Sequence, residues 1–263
     1  MLASCAAPAS RSAVPPVRDL AAPAGLAAAP DQFFTEGDTR IRYRVVGRDE
    51  AGRDPVVLLH GYTRDLADWR GLGDSLARDR QVVALDWRGS GLSSKPADPA
   101  RYGAEMLDDV ARLMDHLGIG RAHVVGHSMG ATGASGFAVR YPARVRTLVL
   151  IAGLYEDSTA FARRFAPVIA ELEQRRDLTA EDRGALIGVL RNVPPSILSS
   201  QTSAVRVPAL AVVGTADGNL ASTQSLAAAW PALRVLLVPG ADHGGVLSRP
   251  ELLTAIRAQF SER

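Results

Sequence analysis

The sequence predicts an α/β fold, a mostly parallel central sheet with helices on both faces and a small helical insertion. Two observations predict it. Short runs of strand length that are apolar throughout, such as Val56-Val57-Leu58-Leu59, alternate with longer stretches of helical periodicity. Strands with no polar face are buried on both sides, as happens when crossover helices cover a parallel sheet. The stretch from about Leu154 to Val207 alone breaks the alternation, being helical and charged, with a Pro194-Pro195 interruption.

The elements follow in order. Residues 1–30 are rich in Ala, Pro and Ser, with no periodicity and little to bury, so a disordered leader is expected. Phe33-Phe34-Thr35, a Gly37-Asp38 turn and Ile41 to Val46 read as a hairpin. The run at Val56 comes next, then helical spacing from about Asp68 to Ala77 and a strand at Val82-Val83-Ala84-Leu85. Met106, Leu107, Val110, Leu113, Met114 and Leu117 share one helical stripe. His123-Val124-Val125 opens another strand, followed by a helix through Tyr141 and a strand from Val145 to Ile151. After the insertion, Ala209 to Val213 and Val235 to Val238 repeat the strand signal, and a helix runs from about Pro250 to Phe260. The expected layout is a core of residues 31–153 and 208–263 with a helical cap at 154–207.

Bulk properties narrow the function. In 263 residues, 47% are hydrophobic and 22% charged, with a net charge of +2, a balance that suits one large globular domain. No basic run interleaved with aromatics suggests nucleic acid. No apolar stretch approaches the roughly 20 residues of a membrane-spanning helix. The one cysteine, Cys5, rules out an intrachain disulfide. Met1-Leu2-Ala3-Ser4-Cys5 resembles the end of a bacterial lipoprotein signal without the charged and apolar regions that precede it. The placement is then cytoplasmic, or that of a periplasmic, membrane-anchored lipoprotein with its lipid on Cys5 if the true start lies upstream.

Gly126-His127-Ser128-Met129-Gly130 carries the chemistry. It matches G-x-S-x-G directly after a buried strand and directly before a helix, the context that motif requires. A serine on so sharp a turn is held in a strained backbone, and side chains at Gly126 or Gly130 would collide with the neighbouring strand or helix. The helix N-terminus points its free N–H groups at a developing oxyanion.

From about Gln32 to Phe260 the chain resembles the α/β-hydrolase fold family, in its cap-bearing serine esterase and lipase-like branch. The resemblance implies a catalytic order of Ser, acid, His. It places the acid in the loop after the next-to-last core strand, where Asp217 stands in Val213-Gly214-Thr215-Ala216-Asp217. The histidine belongs after the last strand, where His243 stands in Gly240-Ala241-Asp242-His243-Gly244. The residues agree with this assignment: serine needs a base titrating near neutrality, and that base needs a carboxylate to fix its tautomer. Asp217 could instead cap the following helix. Asp242 is set aside because a sequence neighbour of His243 would normally point away from its Nδ1, and Asp157 or Glu156 is the reserve acid.

By the same resemblance, the oxyanion donors are the backbone N–H groups of Met129 and of Tyr62, the latter in the loop His60-Gly61-Tyr62-Thr63. His60 is read as a loop brace, and Asp86-Trp87-Arg88-Gly89-Ser90-Gly91 as turn and capping chemistry. His116, His123 and His127 receive structural roles. Gly130, Gly133 and Gly136 suit close packing of a helix on the sheet. No histidine or cysteine grouping has metal-ligand spacing and no phosphate loop is present, so neither metal nor cofactor is expected. Tyr62, Trp69, Met129, Phe161 and Phe165 are candidate pocket walls.

The expected activity is cleavage of a carboxylic ester of a small molecule through a Ser-His-Asp triad and an acyl-enzyme. The same triad would also serve a thioester, lactone, amide or C–C bond, or a cofactor-free perhydrolase. Another class with the same pocket is a receptor or regulator that binds without turnover. Epoxide hydrolases and dehalogenases of this fold place an aspartate where Ser128 stands.

Overall fold

In the computed structural model, which describes residues 25–262, the chain forms one eight-stranded sheet. The strands are β1 (Gln32–Glu36), β2 (Thr39–Val46), β3 (Val56–Leu59), β4 (Val82–Leu85), β5 (Ala122–His127), β6 (Val145–Ile151), β7 (Ala209–Gly214) and β8 (Arg234–Val238). Their spatial order is β1-β2-β4-β3-β5-β6-β7-β8. β1 pairs antiparallel with β2, and β2 with β4; every other neighbouring pair is parallel. The α/β architecture expected from the sequence is the one observed.

The α-helices among the described residues are α1 (Arg70–Leu76), α2 (Ala104–His116), α3 (Met129–Arg140), α4 (Ser158–Gln174), α5 (Ala180–Arg191), α6 (Leu220–Ala229) and α7 (Pro250–Phe260), with short 3-10 turns between elements. Alternate residues of the inner strands enter different cores, because successive side chains leave opposite faces of a sheet. Val57, Leu59, Val83 and Leu150 pack with Met106 and Val110 of α2 and Phe137 of α3. Val56, Leu58, Val82 and Val149 pack with Leu76 of α1 and with Leu252 and Ile256 of α7. Burial on both faces is why these strands read as unbroken apolar runs.

The order has one consequence for function. From β3 the chain crosses to β4 on one side, and β5 then lies on the other side of β3. Ligands of open α/β sheets bind at such a switch point, in the crevice beyond the carboxyl ends of the two strands. Those ends lead here into His60-Gly61-Tyr62 and into Ser128. Between β6 and β7 the chain inserts α4 and α5, whose Phe161, Leu172 and Leu190 share a small core with Leu154 and with the edge of Tyr62.

Several expectations shift. Within Gly25–Pro30, assigned by composition to the leader, Leu26 and Ala29 are buried; the Leu26 N–H donates to Asp74 Oδ1 (2.6 Å), and its carbonyl accepts from Arg44 (2.6 Å). The remainder of the leader, with Cys5 and the lipoprotein-like Met1–Cys5, lies outside the described residues. β8 is an edge strand with Val235 and Leu237 exposed, although its sequence matches the buried strands. Among the described residues, no helix is long and apolar enough to cross a membrane.

Candidate active site

β5 ends at His127 and α3 begins at Met129, so Ser128 must turn the chain within one residue. It does so at φ 55°, ψ −121°, a backbone that L side chains rarely adopt. The two glycines make the turn possible. A Cβ at Gly130 would lie 1.8 Å from the Leu59 carbonyl oxygen, and one at Gly126 would lie 2.1 Å from the Gly130 carbonyl oxygen. The helix therefore sits directly against the ends of the strands. At its first residue the Met129 N–H has no acceptor one turn earlier.

The loop after β3 meets Ser128 from the other side. A Cβ on Gly61 would stand 3.2 Å from Ser128 Cβ. Arg64 N–H closes a turn onto the Gly61 carbonyl (3.2 Å), and Thr63 takes φ 61°, strained for a β-branched residue. His60 is fully buried beneath this loop. Its Nδ1 is 2.8 Å from the Gly61 carbonyl and its Nε2 accepts from the Trp87 N–H (3.1 Å), while the Trp87 indole N–H donates to the His60 carbonyl (3.0 Å). Both nitrogens are thus satisfied by a neutral ring, and burial pushes its pKa down. Asp86 receives the N–H groups of Leu66 (2.8 Å) and Leu92 (2.9 Å), and Gly89 and Gly91 take φ 85° and 51°. The Asp86 loop thereby braces the His60 loop, a link the sequence reading missed.

The three side chains that the sequence proposes from distant segments meet here. His243 Nε2 is 2.9 Å from Ser128 Oγ, and His243 Nδ1 is 3.1 and 3.0 Å from the two oxygens of Asp217. The Asp217 side chain is buried, that of His243 half exposed. Asp217 Oδ1 also accepts from the Asn219 N–H (2.8 Å), and Asn219 Nδ2 donates to the carbonyl of Ala152 (2.9 Å), itself at φ 52°. Gly214 brings the acid and histidine loops together: a Cβ there would lie 2.0 Å from the Ala241 carbonyl oxygen. The other carboxylates are engaged elsewhere. Asp242 accepts from Gly245 N–H (2.7 Å), Asp157 caps α4 at Thr159 and Ala160, and Glu156 pairs with Arg164.

A cavity of about 590 Å³ opens over Ser128 and His243. Met129, Leu154, Phe161, Phe165, Val168 and Leu190 make its walls largely apolar, and Tyr62, Thr132, Arg164 and Asn219 contribute polar groups. Tyr62, Met129, Phe161 and Phe165 line it as expected. Trp69 does not; it is fully buried in the core on the α1 and α7 side of the sheet. The sequence reading missed Arg164, Val168 and Asn219, which carry no motif and reach the cavity only through the fold. Tyr62 also donates its hydroxyl to the Leu186 carbonyl of α5 (3.2 Å), tying the loop after β3 to the insertion. Gly136 packs on the carbonyl of Pro195 (1.8 Å from its hypothetical Cβ) rather than on the sheet.

Comparisons with known proteins point to the same fold. Residues 54–175 match the family described as alpha/beta hydrolase fold. A 125-residue stretch is 43% identical to the dihydrolipoyllysine-residue acetyltransferase component of the acetoin cleaving system of Cupriavidus necator, covering 48% of this chain and 32% of that protein. A 144-residue stretch is 34% identical to 2-hydroxymuconate semialdehyde hydrolase of a Pseudomonas species, covering 51% of this chain and 50% of that one. The chain thus spans half the length or less of these curated relatives. Among solved structures, the enol-lactonase of Burkholderia xenovorans superposes with a TM-score of 0.73 at 22% identity, over 88% of this chain and all of that one, a likeness of fold.

Proposed function

We propose, on the premise that the chain belongs to the α/β-hydrolase fold family, that it is a serine hydrolase that cleaves a carboxylic ester through an acyl-enzyme. The observation that carries the proposal is the unbroken path from Ser128 Oγ through His243 to Asp217, with contacts of 2.9 and 3.0 Å. A serine hydroxyl is a weak nucleophile, and an imidazole within hydrogen-bond reach takes its proton as it attacks. The buried Asp217 carboxylate holds the His243 tautomer with Nδ1 protonated and stabilises the imidazolium that forms.

The tetrahedral oxyanion is held by the N–H groups of Met129 and Tyr62, each worth about 3 kcal/mol of barrier by analogy with known oxyanion holes. His243 then gives its proton to the leaving alcohol. A water, activated by the same ring, attacks the acyl-enzyme and returns Ser128 to its starting state. The helices of the insertion act as a cap. Phe161, Phe165, Val168 and Leu190 hold the acyl group, and the apolar walls favour an uncharged acyl chain of small or medium size.

Ser128→Ala tests the proposal. On a short-chain nitrophenyl ester it lowers kcat at least about 10³-fold, since removal of a triad member leaves only oxyanion and binding effects. A rate within tenfold of the parent contradicts the reading. Sustained turnover after one acylation event per site separates an enzyme from a receptor, and a panel with thioesters, lactones and amides sets the bond cleaved.

A further inference from the structure

A second imidazole stands beside that of His243. His127, the last residue of β5, is buried, and its ring centroid lies 5.1 Å from that of His243. Its Nε2 is 3.0 Å from the main-chain carbonyl oxygen of His243. A carbonyl only accepts, so Nε2 carries the hydrogen. Its Nδ1 faces Asp68 Oδ2 at 3.6 Å, and each of these two buried atoms lacks a hydrogen-bond partner among the described residues.

Two buried lone pairs facing each other repel, whereas a proton on Nδ1 makes the contact one between an imidazolium and a carboxylate. The adjacent His127 ring holds the Asp68 carboxyl below the usual carboxylate range. Asp68 belongs to the short 3-10 turn Leu66–Trp69 that follows the Tyr62 loop. A Cβ on Gly61 would lie 3.4 Å from His127 Nδ1. One ring therefore touches the segment carrying the Tyr62 N–H, the strand carrying Ser128 and the main chain of His243.

A buried polar pair is often no more than satisfied core chemistry. What sets this one apart is its acceptor. The His243 loop is bounded by Gly240 (φ 66°) on one side and Gly244-Gly245 on the other, and the His243 side chain is half exposed. Packing alone restrains such a residue weakly, so a main-chain tether has work to do.

We infer that His127, its Nδ1 facing Asp68 and its Nε2–H given to the His243 carbonyl, is a positioning residue that fixes the His243 main chain and so keeps the His243 Nε2 in line with Ser128 Oγ. The inference rests on the proposed role of His243; no proton of the reaction passes through His127.

The test measures kcat and KM for His127→Ala, His127→Gln and Asp68→Asn, with working sites counted by fluorophosphonate titration, and the rate per protein for Ser128→Ala. His127→Ala is expected to lower kcat per titrated site on the order of 10- to 100-fold, the scale of a misplaced catalytic group, with KM within about twofold. His127→Gln, whose amide N–H reaches the same carbonyl, restores most of that loss, and Asp68→Asn loses several-fold.

Full kcat per site in His127→Ala overturns the inference. So does a loss confined to the number of titratable sites, or one that His127→Gln fails to restore. If His127→Ala does not fold, Asp68→Asn decides: a several-fold drop in kcat at constant KM supports the tether, and an unchanged kcat overturns it. An active Ser128→Ala refutes the triad itself, whereas an inactive Ser128→Ala beside a fully active His127→Ala refutes the tether alone.

Discussion

Gly130→Ala places one methyl group where the site has no room for it. Its Cβ would stand 1.8 Å from the Leu59 carbonyl oxygen and 2.7 Å from that of His60. Ordinary contact begins at 3.4 Å, so the first turn of α3 and the end of β3 must part by about 1.6 Å (3.4 − 1.8) along that line. Neither partner yields as a side chain would. Both are backbone, and β3 is paired on both sides, to β4 and to β5.

The displaced turn carries Ser128 and the Met129 N–H, and misplacing reacting groups by about 1 Å costs on the order of 10²-fold in rate. Overpacking costs a further 1–3 kcal/mol or so of stability, about 2–12 °C in Tm for a domain of this size. Ester hydrolysis and a thermal melt read the two effects separately. Gly184→Ala is the control: it lies in α5 with nothing within 4 Å of the new Cβ. It should keep full activity and gain roughly 0.4–1 kcal/mol from a stiffer unfolded chain. Gly130→Ala with kcat within threefold of the parent and an unchanged Tm would refute the close approach of helix and strand, and with it the reason for the glycine.

Asp217→Asn should lower kcat about 10⁴-fold with little change in KM, because an amide supports the wrong His243 tautomer. Asp242→Asn should stay within threefold, and equal losses in the two would mean the acid is misassigned. Gly214→Ala, which forces the acid loop from the Ala241 carbonyl, should lose activity on the order of 10²-fold; a fully active variant would show that the two loops do not touch there. Burial, with nearby Arg80, Arg146 and Arg121 adding to it, pushes the His123 pKa down to about 3. Its folded pKa lies below its unfolded value near 6.5, so its share of stability is whole above pH 6.5 and is lost as pH falls toward 3. Urea unfolding at pH 7 and pH 5 should show the parent losing about 2 kcal/mol more than His123→Gln, and equal losses would refute the buried neutral ring.

The parts of the site legible in the sequence are those whose function forces a local pattern. A serine that must leave a strand and enter a helix within one residue needs glycines at fixed spacing, and Gly126 and Gly130 write that need into five letters. Asp217 and His243 become legible only through the family resemblance, which places an acid and a histidine in the loops after the last two apolar runs. Trp69, Asp68 and His127 show what such patterns leave out. An aromatic near the loop after β3 is equally compatible with the cavity and the core, and only the direction taken by the turn Leu66–Trp69 puts Trp69 inside. The same turn aims Asp68 at His127, a pairing between residues 59 positions apart that no periodicity records.

Burial also depends on rank in the sheet, which composition does not encode. Val235-Leu236-Leu237-Val238 is as apolar as the run at Val56, yet β3 lies between β4 and β5 while β8 has β7 on one side only. The consequence for the site follows from the same order. The Ser128 turn leaves β5, which has neighbours on both sides, so its strained backbone is held among buried strands. The histidine leaves the edge strand, where neighbours are fewest. A loop from an edge strand needs restraint from outside its own strand, and the contacts that supply it, Asp217 on the ring and His127 on the main chain, come from β7 and β5. The loop carrying His243 should therefore be the part of the site whose amide hydrogens exchange first, and removing the His127 contact should speed that exchange while leaving β5 protected.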